Sequence, residues 1–374
     1  IISYFKSKKN KQWLLLLAGF TMGCAMLSKY SAVFLLFGLA LYILCFDRKE
    51  LKNKYLYFSL LISMICIIPI LIWNWQNDFI SFNFHGNRVS FFDKPHFDYF
   101  GREVLGEFLY NNPVVYVLII IALVSFFRKK YDIDASVSRF LLCVALPWMG
   151  LFLYFSFTRP TLPHWSAPAV SFLIPFAAAF LDANTDSDTD GKKLPNSIIA
   201  AVLLLLLTII MGTFEIKTGL IQASINKDKK QGMNELGRGD VTLDMYGWKQ
   251  LEEKFSAVRA DAIDQGVMKA TDGIVTLQWF PAANLDYYVA RPLNIPLIAL
   301  GDISQIHKYH WINEKRGGLK ENSAYWFLDQ SCHSFGCDHP LLFESFSAAE
   351  PVDTIAIERS GRTVEYVFVY KLCP

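Results

Sequence analysis

The sequence predicts an α-helical polytopic membrane domain over residues 1–213, followed by a small α/β soluble domain over residues 214–374. Three observations predict it. The chain is 53% hydrophobic and 15% aromatic with a mean hydropathy of +0.28, too apolar for a soluble protein of this length. The excess is gathered into long runs within the first 213 positions. The remainder alternates short strand-like and helix-like stretches, the pattern of an α/β layer domain with an antiparallel edge. A formal net charge of +2, with no long basic face, argues against a nucleic-acid partner.

The longest apolar run, residues 13–46 (WLLLLAGFTMGCAMLSKYSAVFLLFGLALYILCF), is interrupted only at Ser28-Lys29-Tyr30. As one straight helix it would be about 50 Å long, against a hydrocarbon core of about 30 Å. Lys6, Lys8, Lys9 and Lys11 precede it, and Arg48, Lys49, Lys52 and Lys54 follow it. The positive-inside rule therefore places both ends in the cytoplasm. The run is read as a hairpin of two helices, 13–28 and 30–46, with Lys29 at the outer turn, where its ammonium meets water and headgroups. The alternative is one long tilted helix with a snorkelling lysine.

Tyr55 to Trp75 is the third predicted span, through Pro69 and ending on interfacial tryptophans. Residues 76–112 form an outer loop too long for a plain connector, and Phe97 to Tyr110 within it fits a helix lying on the membrane. Pro113 to Phe127 returns, Arg139 to Phe157 goes out through Pro147, Ser166 to Leu181 comes back, and Ser197 to Thr213 completes about seven spans. A cytoplasmic start then leaves the C-terminal domain outside. In that domain 247–265 has helical spacing, with Trp248, Leu251, Phe255 and Val258 on one face. Residues 271–280, 296–300 and 324–329 read as strands, and 282–290 and 304–313 as helices. The end alternates around Ser360-Gly361 as a β-hairpin should. No Gly-rich phosphate loop follows a strand, which argues against a nucleotide site.

Ser28-Lys29-Tyr30, the loop with His85 and Arg88, and the turn from Arg159 to Trp165 all fall at outer ends of spans. Cationic and hydroxyl groups gathered there suit a lipid phosphate, Arg as a fork and Lys as a point charge. Each has a plainer reading: an interfacial snorkeller for Lys29, a solvated loop for His85 and Arg88, and a proline-stiffened connector for Arg159 and His164. No pair has metal-ligand spacing, so the sequence defines no cofactor and leaves a divalent metal open. Cys332 and Cys337, separated by a short loop containing Gly336, predict a disulfide on the outer side. A Cys/His zinc site with His333 and His339 is the alternative.

The segments GCAMLSKYSAVFLL, IPILIWNWQNDFISFNF, TRPTLPHWSAPA, WFPAANLDYYVARPLNIPLI and IHKYHWIN resemble the bacterial branch of glycosyltransferase family 39, the dolichyl-phosphate-mannose protein mannosyltransferase and aminoarabinose transferase-like group. The resemblance covers nearly the whole chain and is most specific in the first and third segments. It implies an integral-membrane transferase of the GT-C fold in the bacterial inner membrane. Such an enzyme takes a sugar from a polyprenyl-phosphate donor at the outer leaflet, with inversion, and passes it to an acceptor glycan, lipid or protein. The candidate donor-phosphate and substrate residues are Lys29, Tyr30, His85, Arg88, Arg159, His164 and Trp165; by position the resemblance implies Lys29 near the phosphate and His164 with Trp165 on the cavity wall.

The family's acidic motif in its first outer loop has no counterpart here, and the chain opens on Ile1 rather than an initiator Met. The expectation is an N-terminally truncated transferase, inactive alone, whose catalytic base lies upstream. A positioned base is typically worth about 10² to 10⁴ in rate. Asp78, Asp93, Asp98 and Glu103 are outer carboxylates, yet their spacing selects none. The rival from another class is a non-catalytic transporter or flippase of lipid-linked sugar, with Lys29 and Arg159 along its path; such folds usually carry internal repeats, and none is visible. A second rival is an outer-face binding or scaffold protein held by a membrane anchor.

Overall fold

A computed structural model describes residues 1–7, 10–86, 94–185, 194–225 and 232–374. The chain divides into two compact units, Ile1–Leu207 and Thr208–Pro374. The division falls inside one helix, Asn196–Thr218.

The first unit opens with a short helix α1 (Ile2–Lys6) and then α2 (Trp13–Ser28), a turn of 3₁₀ helix at Tyr30–Ala32, α3 (Val33–Phe46) and α4 (Lys54–Gln76). α2 and α4 run parallel. Gly19 lies against Ser59 and Gly23 against Ser63 and Cys66, so the two helices advance in step. Ser63 Oγ donates to the Gly19 carbonyl at 2.6 Å. At their shared start Asn53 caps α4 by accepting from Tyr55 N at 3.0 Å, and its amide donates to Gln12 Oε1 at 2.9 Å and Glu50 Oε2 at 2.9 Å. α3 leaves the Lys29 end of α2 and delivers the chain back beside Gln12, so α2 and α3 form an up-and-down hairpin. Its two arms touch little along their length, because α3 packs instead on α8 (Ala135–Ser156). Phe34 stacks on Trp148 at 5.0 Å, Gly38 admits Val144, and Tyr42 meets Phe140 at 6.2 Å, an antiparallel register.

After α4 come α5 (Ile80–Gly86) and α6 (Phe97–Tyr110), the helix expected within the long loop. Asn112 (φ +60°) caps α7 (Pro113–Phe127) by accepting from Val114 N at 3.2 Å, and α6 and α7 meet there at 99°. α9 (Ala167–Ser171) and α10 (Ile174–Ala183) follow α8. Phe176 of α10 packs edge-on against Phe126 of α7 at 5.1 Å, and Tyr131 OH donates to the Ala122 and Phe176 carbonyls. All seven apolar segments are therefore helical. Three of them, α4, α8 and α11 (Asn196–Thr218), are long and apolar enough to cross a bilayer alone, and the bent pair α6–α7 is a fourth if counted as one span. The others fall short because each divides its run: a 16-residue helix such as α2 rises only about 24 Å.

The second unit takes in the end of α11. Gly219, at φ +60°, sits where any Cβ would meet the Arg359 guanidinium. It turns the chain into α12 (Leu220–Ile225), whose Ile221 and Gln222 amides donate to the Glu215 carboxylate at 2.9 Å each. A five-stranded sheet follows, in the order β2-β1-β3-β5-β4: β1 (Ile274–Thr276), β2 (Leu297–Ala299), β3 (Tyr325–Gln330), β4 (Ala348–Arg359) and β5 (Arg362–Cys373). β2, β1 and β3 are parallel, and β5 and β4 make the antiparallel edge. The hairpin turns on Ser360 (φ +50°) and Gly361 (φ +73°), two left-handed residues as a tight primed turn requires. One face is covered by α13 (Trp248–Asp264), whose Phe255 meets Trp326 edge-on at 5.3 Å, and by α14 (Trp279–Leu285). The other face packs Phe327, Val275 and Leu372 against Leu342 of α17 (Pro340–Phe343) and Phe346.

Three expectations shift in detail. The first strand is confined to 274–276, the helix expected over 282–290 starts at Trp279 and ends in a π turn, and the next is split into α15 (Ile303–Ile306) and α16 (Tyr309–Lys315) by His307 at φ +50°. The bridge expected between Cys332 and Cys337 is not formed, and both are free thiols. The short loop is held another way: buried Asp329 accepts from Ser334 Oγ at 2.6 Å, Phe335 N at 2.8 Å and Gly336 N at 3.2 Å. The Cys332 thiol is turned into the interior and donates to Glu365 Oε1 at 3.0 Å. Burial is the first cause pushing the Glu365 carboxyl up to about 7; the bonds from Cys332 and Gln330 oppose it.

Two outcomes follow from this packing. Gly19→Val forces a side chain into the Ser59 carbonyl and should cost about 1 to 3 kcal/mol by overpacking; an unchanged denaturation midpoint in detergent would mean that α2 and α4 are not in this contact. Glu365 has a folded pKa near 7 against an ordinary 4.5, so its contribution is complete below pH ~4.5 and is lost as pH rises through ~7, about 3 kcal/mol in all. Hydrogen exchange of β5 amides, corrected for intrinsic rates, should show protection falling from pH 5 to pH 8 in the wild type and staying flat in Glu365→Gln.

Candidate functional site

The break after α2 forms one wall of a cavity. Ser28 donates its hydroxyl to the Cys24 carbonyl at 3.0 Å, a back-bond that competes with the helical ladder. Lys29 then takes an extended conformation (φ −155°, ψ 126°). The facing wall is the turn after α8. Arg159 N still donates to the Phe155 carbonyl at 3.0 Å, but Pro160 and Pro163 cannot continue a helix. Trp148 Nε1 fixes the far side of the turn by donating to the Trp165 carbonyl at 3.2 Å. Between the walls is a cavity of about 920 Å³. Ser28, Lys29, Tyr30, Ser31, Arg159 and Thr161 are among its polar lining, with Phe82, Phe152 and Phe155 among the apolar side chains.

Two of the polar atoms there lack partners. Arg159 Nε and Ser31 Oγ are buried without a hydrogen bond among the described residues, and a buried polar atom left so costs about 1 to 3 kcal/mol. Lys29 is exposed at the rim. A guanidinium N–H, a hydroxyl and an ammonium bordering one apolar-walled space are a donor set for an anion.

α6 supports the Arg159 turn from behind. Glu103 and Glu107, one helical turn apart, are both 1% exposed. Glu103 Oε2 accepts from Thr161 Oγ1 at 2.7 Å, and Glu107 Oε2 accepts from Tyr116 OH at 3.3 Å. Gly106 lies between them on the same face, where a Cβ would run into the Pro163 ring. One oxygen of each carboxyl, Oε1, has no partner among the described residues.

The structure brings four of the predicted residues, Lys29, Tyr30, Arg159 and Trp165, to one cavity. His164 is not on its lining. Its exposed ring lies against Tyr110 at 5.9 Å, and the 3₁₀ turn Pro163–Trp165 sets it at 83° to the ring of Trp165. Arg88 and Asp93 lie outside the described residues, as does the side chain of His85. Sequence reasoning passed over Ser31, and it named Glu103 without selecting it. The available signal was the spacing of Glu103, Gly106 and Glu107, which puts two carboxyls and a gap on one face of an amphipathic helix. Among the described residues no three His, Cys, Asp or Glu side chains are grouped to hold a metal.

Residues 1–73 match the protein family described as Dolichyl-phosphate-mannose-protein mannosyltransferase. The matched stretch holds α2, the break at Lys29, α3 and most of α4, hence one wall of the cavity. The match supports a membrane glycosyltransferase of mannosyltransferase type and singles out no member of that group. No curated protein and no solved structure gives a significant match.

The bond from Thr161 to Glu103 makes a coupled pair. In denaturant titrations of the detergent-solubilised protein, Thr161→Val and Glu103→Ala should each destabilise, and the double variant by less than their sum, with a coupling of about 0.5 to 3 kcal/mol. Additive effects would show that α6 does not anchor the turn.

Proposed function

We propose that the chain forms part of a membrane glycosyltransferase that moves a sugar from a polyprenyl-phosphate donor to an acceptor hydroxyl, and that the cavity between Lys29 and Arg159 receives the donor phosphate. The observation that carries this reading is the pair of buried atoms, Arg159 Nε and Ser31 Oγ, without partners among the described residues, at a cavity whose other wall lies in the matched residues 1–73. Arg159 and Ser31 would donate to phosphate oxygens, Lys29 would neutralise them from the rim, and the Phe82, Phe152 and Phe155 rings would border the prenyl chain.

In this reaction the acceptor oxygen attacks the anomeric carbon from the face opposite the phosphate. The new C–O bond forms as the bond to the phosphate oxygen breaks, which inverts the centre. The bonding pair leaves with the polyprenyl phosphate, whose charge the same cations stabilise, so the leaving group needs no acid. The acceptor proton passes to a general base. The described cavity lining holds no carboxylate or imidazole, and the base is not assigned to any residue of this chain.

The same reading has the seven apolar helical segments crossing or entering the membrane, with the basic flanks of residues 13–46 on the cytoplasmic side. Lys29, the cavity and the C-terminal unit then belong to the outer side of a bacterial inner membrane. The acceptor, whether glycan, lipid or protein, would approach from there.

Retention of a short-chain polyprenyl phosphate by the protein in nanodiscs tests the assignment. Hydrogen bonds to charged groups are worth about 1.5 to 3 kcal/mol, so Arg159→Ala should weaken binding by about 10- to 100-fold and Lys29→Ala by less. Equal retention by Arg159→Ala and the wild type would remove the phosphate from this cavity.

A further inference from the structure

The sheet of the second unit reverses its winding between β1 and β3. β1 leads through α14 to β2 on one side of it, and the chain then returns through α15 and α16 to β3 on the other side. In open parallel sheets the loops leaving two such strands diverge and leave a crevice at their carboxyl ends, which is where ligands bind. Here that crevice is a cavity of about 560 Å³, within the roughly 300 to 1,000 Å³ usual for small-molecule sites. Gln278 and Phe280 come from the end of β1, His333 and Phe335 from the end of β3, and Arg238 from the segment before α13.

The crevice is built rather than loosely closed. Asp329 holds the Ser334–Gly336 loop through three hydrogen bonds, and Ser331 ties its root to the Leu236 carbonyl at 2.7 Å and to Tyr366 N at 2.9 Å. Asp244 Oδ1 meets His333 Nε2 at 2.8 Å and so fixes the imidazole, and Phe280 lies edge-on to that ring at 6.3 Å. The Gln278 side-chain amide is exposed and has no partner among the described residues.

The lining narrows the ligand class. A polyanion would need more cations than Arg238, which Glu235 Oε1 already meets at 3.3 Å, and the Phe335 and Gly336 amides that could cradle a phosphate after β3 are taken by Asp329. A purely apolar ligand would strand the Gln278, Arg238 and His333 polar groups without water. The Cys332 thiol at the crevice floor is 5% exposed, burial pushes its pKa up, and it donates to Glu365, so it is no nucleophile. What remains is a set of three planar hydrogen-bonding side chains beside two phenyl rings. We propose that this crevice binds a saccharide, with vicinal hydroxyls taken by Gln278, Arg238 and His333 and the C–H face of the ring laid on Phe280 or Phe335. The site stands on the lining of this unit alone and does not rest on the transferase reading.

The test is capture of the full-length chain in nanodiscs on a printed array of hexose-containing oligosaccharides. At least one oligosaccharide should be retained, and Gln278→Ala and His333→Ala should each lower apparent affinity at least ten-fold, while Arg159→Ala in the first unit leaves capture unchanged. Gln278→Ala removes an exposed side chain, so it decides the matter even if His333→Ala disturbs the fold. No retention by the folded wild type, retention equal in Gln278→Ala, or retention lost in Arg159→Ala alone would each overturn the site.

Discussion

In hydrocarbon a peptide group has to be bonded inside its own helix, so a chain can interrupt a helix only where water or protein takes over the bonds. The position of the break at Ser28–Ser31 follows from that constraint, and the first unit is arranged by it. Because α2 stops there, α3 must come back, and the return brings Asn53 beside Gln12 to clamp the opposite end. Because α3 then finds its main partner in α8, the end of α8 arrives opposite Lys29. The cavity is thus a by-product of two helix ends facing each other, and polar side chains can collect there without crossing the apolar interior.

The helix contacts that hold this arrangement are backbone-close. Gly19 and Gly23 let α2 approach α4 until a Ser63 hydroxyl reaches a helical carbonyl, and Gly38 does the same for α3 on α8. Association of apolar helices in lipid gains nothing from hiding apolar surface, so close packing and interhelical bonds carry it. Gly106 extends the logic to the loop: its missing side chain seats Pro163, and this brings Thr161 within reach of Glu103. Arg159 is held two residues from that anchor, between a spent helix and a pinned turn, and its Nε has no partner among the described residues.

Much of this was legible in the sequence, and the reasons differ by element. The break at Ser28-Lys29-Tyr30, the helix at Phe97–Tyr110 and the turn at Ser360-Gly361 follow from local rules: charge flanks, amphipathic spacing and left-handed turn chemistry. The number of membrane crossings is less local, since α2 and α3 are short and the bend at Asn112 separates α6 from α7. His164 and Trp165 are neighbours in sequence, yet the 3₁₀ turn sends only Trp165 to the cavity. Glu103 and Ser31 depended on long-range approach, which no spacing reports. The Cys332–Cys337 pair was read from the short Gly336 loop and the expected outer placement, whereas the side-chain direction of Cys332 is set by the buried Glu365 on the neighbouring strand.

The second unit turns on another long-range fact, the order of its strands. Individually, 274–276 and 325–330 are two apolar stretches with nothing in their residues to say that they lie side by side. Their pairing makes Gln278 and His333 neighbours, though they stand far apart in the chain. The same strand order explains why the polar residues of this unit are unevenly supported. Arg359, buried in the hairpin, is paired with Asp240 and bonded to Thr242 at 2.7 Å, as an interior charge must be. Gln278, at the mouth of the crevice, is exposed and has no side-chain partner among the described residues. Arg238, Gln278 and His333 instead line the crevice between two diverging loops, where a group from outside the chain can reach them.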